Sequence, residues 1–424
     1  MFLLPLYWLL SPVLWILLPL IAIINPKVRH HWFHEKKTLK LAQETIQQNQ
    51  KLKTVVLFHA ASTGEFEQLK PVLNRMDRTQ YLILLSFFSP TVFTREKNTL
   101  LADAVCYHPF DFPWSARSFF RRLNIKYYII TRNDIWPTHL FIAKLMGIHT
   151  VLINANLYRK YHYTSWLYRS FFKQVLGQFN LILTSSERLK NNLLNVISAD
   201  KIQVSGDSRL DRVLERKAEK SIPLLPISYK ESRTLILGSI IPSDYPYIFC
   251  GLEKNYPNGQ QSLEEKDHRI IIVPHEVDQS HLLVIEEKLD EFGFDWAYYS
   301  EKDKLQNSRV VIIDTIGILA DLYAFSDAAY VGAGFGAGVH SVIEPAVYKN
   351  AVSFGPNFHI VDMAVSLLNN NLASVIETAE DFAQFCTLLE DKEKLERIRE
   401  DIKDYILNQP IAAENITQAI FNHD

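Results

Sequence analysis

The pattern of hydrophobic positions divides the chain into an apolar start and a long alternating remainder. From Phe2 to Asn25 there is no charged residue, and FLLPLYWLLSPVLWILLPLIAII is long enough to cross a bilayer core of about 30 Å. Beyond it, short apolar runs alternate with segments of helical spacing, which is typical of βαβ units in a parallel sheet. The first half predicts strands at Thr54–Ala60, Tyr81–Phe87, Tyr127–Asn133, Thr150–Ala155 and Leu181–Ser186.

The strand pattern stops between Arg212 and Glu231, where charged residues and prolines occur together. It then restarts, with strands expected at Thr234–Ser239, Arg269–His275, Arg309–Thr315, Ala328–Gly334 and Ala351–Pro356. We therefore predict an α/β fold with two Rossmann-like, doubly wound domains at 27–211 and 232–424, a linker at 212–231 and a membrane anchor at 1–26. One arrangement left open is that the last helix of the second domain packs back on the first domain.

The apolar start predicts a retained membrane anchor. It lacks the preceding positive charge and the small-residue cleavage site of a signal peptide. Lys27, Arg29, Lys36 and Lys37 follow directly, and this positive bias favours a cytoplasmic position for the rest of the chain. Three prolines in the apolar stretch leave two geometries open, a full span and a helix lying in the membrane interface.

Composition narrows the classes of partner and cofactor. A formal net charge of −2, without a basic stripe interleaved with aromatic residues, argues against nucleic acid. The three cysteines have no metal-ligand spacing, and no HExxH or aspartate cluster occurs, so we expect no metal and no cofactor. The remaining chemistry is expected at the strand ends, because ligands of open α/β sheets bind outside the carboxyl ends of the strands.

The first candidate is HAASTGE, residues 59–65, which follows a predicted strand and turns through Ser62 and Gly64 into a helix. Glu65 at a strand end is placed to take a proton from a hydroxyl as a general base. The alternative is a carboxylate that only complements the helix dipole.

The second candidate is GAGFGAGVHSVIEPA, residues 332–346, again directly after a strand. Glycines such as Gly336 and Gly338 let backbone N–H groups approach a phosphate, and a helix is expected near His340–Val347. His340 and Glu344 are expected to contact the phosphate and the sugar hydroxyls of a nucleotide sugar. The alternative is a glycine-rich turn with a structural glutamate.

Further candidates lie at other strand ends. Arg209 in SGDSRLD can pair with phosphate, and Gly238 and Ser239 form a small turn that an anion can approach. His275 follows another strand, and Trp136 in IWP follows the strand that begins at Tyr127. The alternatives are a surface ion pair, an ordinary βα turn, a structural histidine and a packing tryptophan.

Taken together, HAASTGE, IWP, INANL, SGDSRLD, the glycine loop with HSVIEPA, and FGP occur in the order found in the 3-deoxy-D-manno-octulosonic acid (Kdo) transferases. The chain resembles this family over nearly its whole length. One departure is TRNDIWP, in which Asn133 stands where many members have a carboxylate and Asp134 is shifted.

The resemblance implies a GT-B fold with two domains facing a cleft and an inverting transfer of Kdo from CMP-Kdo to a lipid A precursor in lipopolysaccharide biosynthesis. It implies Glu65 as the catalytic carboxylate and donor binding by Gly238, Ser239, Gly338, His340 and Glu344. The expected location is the cytoplasmic side of the inner membrane, in contact with membrane lipid. Alternatives are another GT-B transferase or an epimerase, and an inactive membrane-tethered binding homologue.

Overall fold

The computed structural model describes residues 3–49, 53–159, 165–219 and 223–421. Residues 1–2 of the predicted anchor and 220–222 of the predicted linker lie outside the described residues. The chain divides into two compact units, Met1–Arg212 with Pro410–Asp424, and Val213–Gln409. We call these unit 1 and unit 2.

Unit 1 contains a seven-stranded parallel sheet with the order β3-β2-β1-β4-β5-β6-β7. Its strands are β1 (Thr54–Ala60), β2 (Tyr81–Phe87), β3 (Ala104–Tyr107), β4 (Tyr127–Thr131), β5 (His149–Ala155), β6 (Leu181–Thr184) and β7 (Ile202–Val204). Its helices are α1 (Leu3–Ile24), α2 (Pro26–Asn49), α3 (Thr63–Asn74), α4 (Pro90–Glu96), α5 (Pro113–Leu123), α6 (Pro137–Leu145), α7 (Trp166–Leu176), α8 (Glu187–Leu194), α9 (Ser208–Ala218, which ends in unit 2) and α19 (Ala412–Phe421).

Unit 2 repeats this architecture with the order β10-β11-β9-β8-β12-β13-β14, also parallel throughout. Its strands are β8 (Arg233–Ile240), β9 (His268–Pro274), β10 (Trp296–Tyr298), β11 (Val310–Ile312), β12 (Ala328–Val331), β13 (Ala351–Phe354) and β14 (Ala373–Val375). Its helices are α10 (Ser228–Glu231), α11 (Tyr245–Asn255), α12 (Gln260–Glu265), α13 (Gln279–Glu291), α14 (Leu319–Leu322), α15 (Ile343–Val347), α16 (Asp362–Asn369), α17 (Ala379–Cys386) and α18 (Lys392–Leu407).

Both faces of each sheet are covered by helices, which explains why the central strands are continuously apolar. In β1, Val55 and Leu57 face a cluster formed with α2, α5 and α6, whereas Val56 and Phe58 face α3 and α19. Neighbouring side chains of a strand point to opposite faces, so a strand buried on both sides carries no polar alternation. The predicted fold of two doubly wound α/β domains with an apolar N-terminal helix is confirmed.

Helix α1 packs against the rest of unit 1. The hydroxyl of Tyr7 donates to the Asp111 carbonyl at 3.0 Å, and the indole of Trp8 donates to Thr138 Oγ1 at 3.0 Å. Ser11, Leu18 and other residues of one stripe are buried, while most large side chains of the opposite face are exposed. Among the described residues, Leu4–Ile24 is the one helix long and apolar enough to cross a membrane.

Candidate functional site

The two motif regions follow strands at the points where strand order reverses in each sheet. In unit 1 the chain moves outward from β1 through β2 and β3 and then returns to β4, on the other side of β1. In unit 2 the same reversal lies between β8 and β12. Open α/β sheets bind ligands in the crevice at such a reversal, so the loops after β1, β4, β8 and β12 are the candidate sites.

Glu65 is held in the first turn of α3 by the motif that precedes it. Ser62 is the N-cap and accepts from the Glu65 amide at 3.3 Å, and Glu65 Oε2 accepts from the Ala61 amide at 2.7 Å. The side chain is 9% exposed, and this burial raises the pKa of Glu65, assisted by the charge of Asp134 and opposed by the Ala61 amide. A carboxylate whose pKa is raised toward neutrality is a stronger general base. Gly64 leaves open space on its side-chain side.

His59 and Asp134 form a hydrogen-bonded pair beside Glu65. His59 is fully buried, and its Nε2–H donates to Asp134 Oδ2 at 2.7 Å. The indole of Trp136 donates to the same oxygen at 2.9 Å. Although burial opposes it, these two hydrogen bonds hold the pKa of Asp134 below its ordinary value. The carboxylate of TRNDIWP is therefore fixed toward β1, a position that the sequence motif alone did not indicate.

Two arginines bring positive charge to the same end of the sheet. Arg132 follows β4 with φ +65°, a backbone conformation that is costly for a residue with a side chain. Burial and the positive charge of Arg209 lower the pKa of Arg132, and Glu65 and Asp207 act in the opposite direction. With the Gln68 amide turned so that its oxygen faces Arg209, that oxygen accepts hydrogen bonds from Arg209 Nε at 3.1 Å and from Nη2 at 2.7 Å. Sequence reasoning singled out Arg209 and missed Arg132; the unusual φ gave no sequence signal.

Other residues of the unit 1 motifs have structural partners. Asn154 of INANL donates to Ser208 Oγ at 2.8 Å, and that hydroxyl donates to the Gln68 carbonyl at 2.8 Å. Asp211 of SGDSRLD accepts from the amides of Ala412 and Ala413, at 3.3 and 2.6 Å, and so caps α19. These residues hold α3, α9 and α19 together behind Glu65.

In unit 2 the structure brings three of the predicted donor residues together, namely Ser239, His275 and His340. Ser239 has a φ of +58°, and its Oγ is hydrogen-bonded to His275 Nδ1 at 2.9 Å. The imidazole of His275 stacks on that of His340, with centroids 4.5 Å apart. Burial, followed by the neighbouring His275, lowers the pKa of His340 and so favours its neutral form.

A pocket of about 350 Å³ opens beside these residues and is lined by Ser239, Tyr323, His340, Ser341 and Glu344, among others. His340 Nε2, Ser341 Oγ and Glu344 Oε2 are buried and have no hydrogen-bond partner among the described residues. Buried polar atoms are nearly always hydrogen-bonded to protein, water or ligand, so three such atoms beside one pocket make it a candidate site for a polar ligand.

The glycines of unit 2 are explained mainly by contacts within the protein. A Cβ on Gly238 would lie 2.3 Å from the Tyr323 hydroxyl, and one on Gly332 would lie 2.3 Å from the Ser239 carbonyl. A Cβ on Gly334 would lie 2.4 Å from the Gly355 amide nitrogen, and one on Gly336 would lie 2.7 Å from the Ile241 side chain. At Gly338, where φ is +135°, it would lie 2.9 Å from the Ile360 side chain. The side-chain positions of these glycines are occupied by the chain itself.

The helix expected near His340–Val347 is shorter than predicted. It begins at Ile343 and ends at Val347, so His340 and Ser341 lie in the preceding loop. His340 is therefore positioned by the loop that lines the pocket, and it does not lie at the start of the helix.

The described residues contain one grouping with metal-ligand geometry, Glu276, Asp278 and His281. Asp278 already accepts from the amides of Ser280 and His281 as the N-cap of α13. The expectation that the protein needs no metal or cofactor stays a prediction.

The comparisons with solved structures concern the fold. A Listeria monocytogenes protein assigned as a UDP-N-acetylglucosamine 2-epimerase matches 88% of this chain and 96% of its own, with a TM-score of 0.64 and 11% identity. A glycosyltransferase from Rickettsia africae matches 87% of this chain and 97% of its own, with a TM-score of 0.55 and 14% identity. These are two-domain α/β proteins of the GT-B kind, and at such low identity the likeness concerns the fold alone.

Sequence comparisons show which family the chain resembles. Residues 33–212 match the family model described as 3-deoxy-D-manno-octulosonic-acid transferase (kdotransferase). A 3-deoxy-D-manno-octulosonic acid transferase from Chlamydia muridarum is 26% identical over 385 residues, which cover 85% of this chain and 84% of the relative. Further proteins of that description match at 23% and 27% identity. The chain is therefore similar to the Kdo transferases over most of its length.

Proposed function

We propose that this protein is an inverting glycosyltransferase that moves Kdo from CMP-Kdo to a lipid A precursor in lipopolysaccharide biosynthesis. Similarity to the Kdo transferases supports the reaction class, and the observation that carries the site is the environment of Glu65. A buried carboxylate with a raised pKa lies at the strand-order reversal of unit 1, where a general base of this reaction is needed.

In the proposed reaction Glu65 removes the proton of an acceptor hydroxyl as that oxygen attacks the anomeric carbon of Kdo. The new carbon–oxygen bond forms while the bond to the CMP phosphate breaks, and the phosphate leaves with the electron pair. The configuration at the anomeric carbon is inverted because attack and departure occur on opposite sides. The protein mainly positions the reactants and stabilises the charge that develops on the phosphate.

The other candidate residues have roles that follow from their contacts. His59 and Asp134 fix the loop after β4 beside Glu65, and Arg132 and Arg209 provide positive charge for an anionic group such as the carboxylate of Kdo. In unit 2 the unpartnered atoms of His340, Ser341 and Glu344 would bind the nucleotide portion of the donor.

Two alternatives receive less support. Some UDP-GlcNAc 2-epimerases share the fold, but the family model and the matched relatives are Kdo transferases. An inactive binding homologue is disfavoured because Glu65 keeps both a raised pKa and an ordered set of neighbours.

The proposed location is the cytoplasmic side of the inner membrane. Helix α1 is fixed to unit 1 through Tyr7 and Trp8 and exposes an apolar face, which favours a helix lying in the membrane interface over one that crosses the bilayer.

The decisive experiment incubates the purified full-length protein with CMP-Kdo and a lipid A precursor and weighs the lipid by mass spectrometry. The expected product is heavier by one or more Kdo residues, and CMP is released in equal amount. A parallel incubation with UDP-N-acetylglucosamine tests the epimerase alternative. Epimer formation without a Kdo-bearing lipid would reject the proposed function.

A further inference from the structure

A second cavity lies in unit 1, apart from Glu65. It has a volume of about 610 Å³ and is formed by α1, α2, α5 and the loop that leads into α5. Aromatic side chains supply much of its wall, namely those of Trp15, Trp32, Phe110, Phe112 and Trp114. A cavity of this size and lining is suited to a large apolar group.

Two cationic side chains line the cavity as well. Lys36 on α2 and Arg122 on α5 are exposed, and neither forms a salt bridge within the described ranges of the chain. The one acidic residue of the lining, Glu35, lies 3.6 Å from Nε2 of His31. An apolar wall with unpaired cations is complementary to an amphiphile that carries both an alkyl chain and an anionic group.

The cavity is continuous with the apolar surface of α1. Trp15 lines the cavity and is 47% exposed, and its neighbours Ile16 and Leu20 are 67% and 57% exposed. Trp15 thus belongs both to the cavity wall and to the exposed apolar surface of α1, so a lipid layer that covers this surface would reach the edge of the cavity.

Aromatic contacts connect the cavity wall to the loop after β4, which bears Asp134 and Trp136. Phe110 of the wall contacts Phe88 with centroids 5.5 Å apart, and Phe88 contacts Trp136 at 4.7 Å. Trp136 donates to Asp134, whose charge acts on Glu65. The cavity wall and the loop after β4, which lies beside Glu65, therefore belong to one connected layer of side chains.

We propose that this cavity binds an acyl chain of the phosphorylated lipid acceptor, and that Lys36 and Arg122 bind a phosphate of the same molecule. This proposal rests on the proposed transfer to a lipid and names the part of unit 1 that selects an acylated acceptor. A de-acylated acceptor would use Glu65 but not the cavity.

Binding can be tested without catalysis. Three tryptophans line the cavity, so dodecyl phosphate brominated on its chain, used below its micelle concentration, should quench the fluorescence of the full-length protein. A variant with Lys36→Gln and Arg122→Gln should require at least tenfold more of this probe. The matched control, Lys37→Gln with Arg121→Gln, removes two exposed charges of the same helices outside the cavity lining and should behave as wild type. Equal quenching of both variants would overturn the phosphate assignment.

Steric blockage supplies the second test. Ser118 lines the cavity, so Ser118→Phe should abolish quenching and raise KM for the acylated acceptor at least tenfold, with KM for the de-acylated phosphorylated sugar unchanged. Arg117→Phe, on the same helix outside the lining, is the control. Equal loss on both acceptors, or competition by phosphatidylglycerol as strong as by the acceptor, would overturn the proposal. If wild type transfers no Kdo, the proposed function fails, and quenching still decides the cavity.

Discussion

The loops after β1 in unit 1 and after β12 in unit 2 lie at equivalent reversals of strand order, yet their motifs depend on different physics. In unit 1 the motif residues are held by hydrogen bonds within the protein: His59 pairs with the half-buried Asp134, and the buried Glu65 beside them accepts from the Ala61 amide. In unit 2 the glycines pack against the chain, and polar atoms such as His340 Nε2 are left unpartnered. The first arrangement fits a preorganised reactive group, and the second fits a binding pocket that a ligand completes.

The two motifs also differ in why they contain glycine. In the glycine loop, Gly332 and Gly334 are required because backbone from β8 and from Gly355 occupies their side-chain positions. In HAASTGE, Gly64 has no atom near its side-chain position. A glycine in a site motif is thus not by itself evidence of close approach, and the structure shows at which glycines another part of the protein requires it.

The largest effect is expected for Glu65→Gln. Removing the base should lower transfer by about 10² to 10⁴ while CMP affinity stays near that of wild type. Product formation followed by mass spectrometry and CMP binding followed by calorimetry provide the two readouts. Glu67→Gln, which removes a carboxylate from the same helix, is the control. Transfer within a few-fold of wild type would exclude Glu65 as the base.

The next effect concerns the glycines. Gly334→Ala places a Cβ against the Gly355 amide and should destabilise unit 2 by about 3 kcal/mol, because overpacking at backbone cannot be relieved by a rotamer change. The expected fall in thermal midpoint is roughly 6 to 12 °C. Gly64→Ala should leave the midpoint unchanged or slightly higher. Equal midpoints for the two variants would contradict the distinction between the loops.

A smaller effect is expected for Glu344→Gln in the unit 2 pocket. Loss of the charge on Oε2 should weaken CMP binding by about tenfold, which corresponds to roughly 1.4 kcal/mol. Glu393→Gln, an exposed carboxylate in the first turn of α18, should have no effect. Calorimetry that gives the same CMP affinity for both variants would remove Glu344 from the donor site.

The fold was largely predictable, and the strands that were missed share one property. Four strands escaped the pattern, β3, β7, β10 and β14, and each is an edge strand of three or four residues. Their burial is incomplete, as in β14, where Ser374 is exposed between two half-buried neighbours. A long apolar run arises where helices cover both faces of a strand, so the ends of a sheet give the weakest signal.

The site was predictable in part, for a related reason. Glu65 lies in the first turn of the helix that follows central strand β1, and Ser239, expected in a turn, lies near the end of central strand β8; the pattern is clear at both strands, and the motifs marked both residues. His59 was hidden because it occupies the end of β1, and Arg132 because its importance arises from a positive φ and from charges far along the chain. Such relations exist once the sheet has brought β1, β4 and α9 together, and spacing within a motif does not reveal them.

The smallest predicted effect is a shift in the acidic limb of the pH–rate profile. Glu65 must be ionised to accept a proton, so kcat/KM should rise with pH through the pKa of Glu65, which burial raises above the ordinary value of 4.5. The negative charge of Asp134 adds to this rise and the positive charge of Arg132 opposes it. Asp134→Asn should therefore move the limb to lower pH, and Arg132→Gln should move it to higher pH. A limb that moves the same way in both variants, or in neither, would show that the profile reports a group other than Glu65.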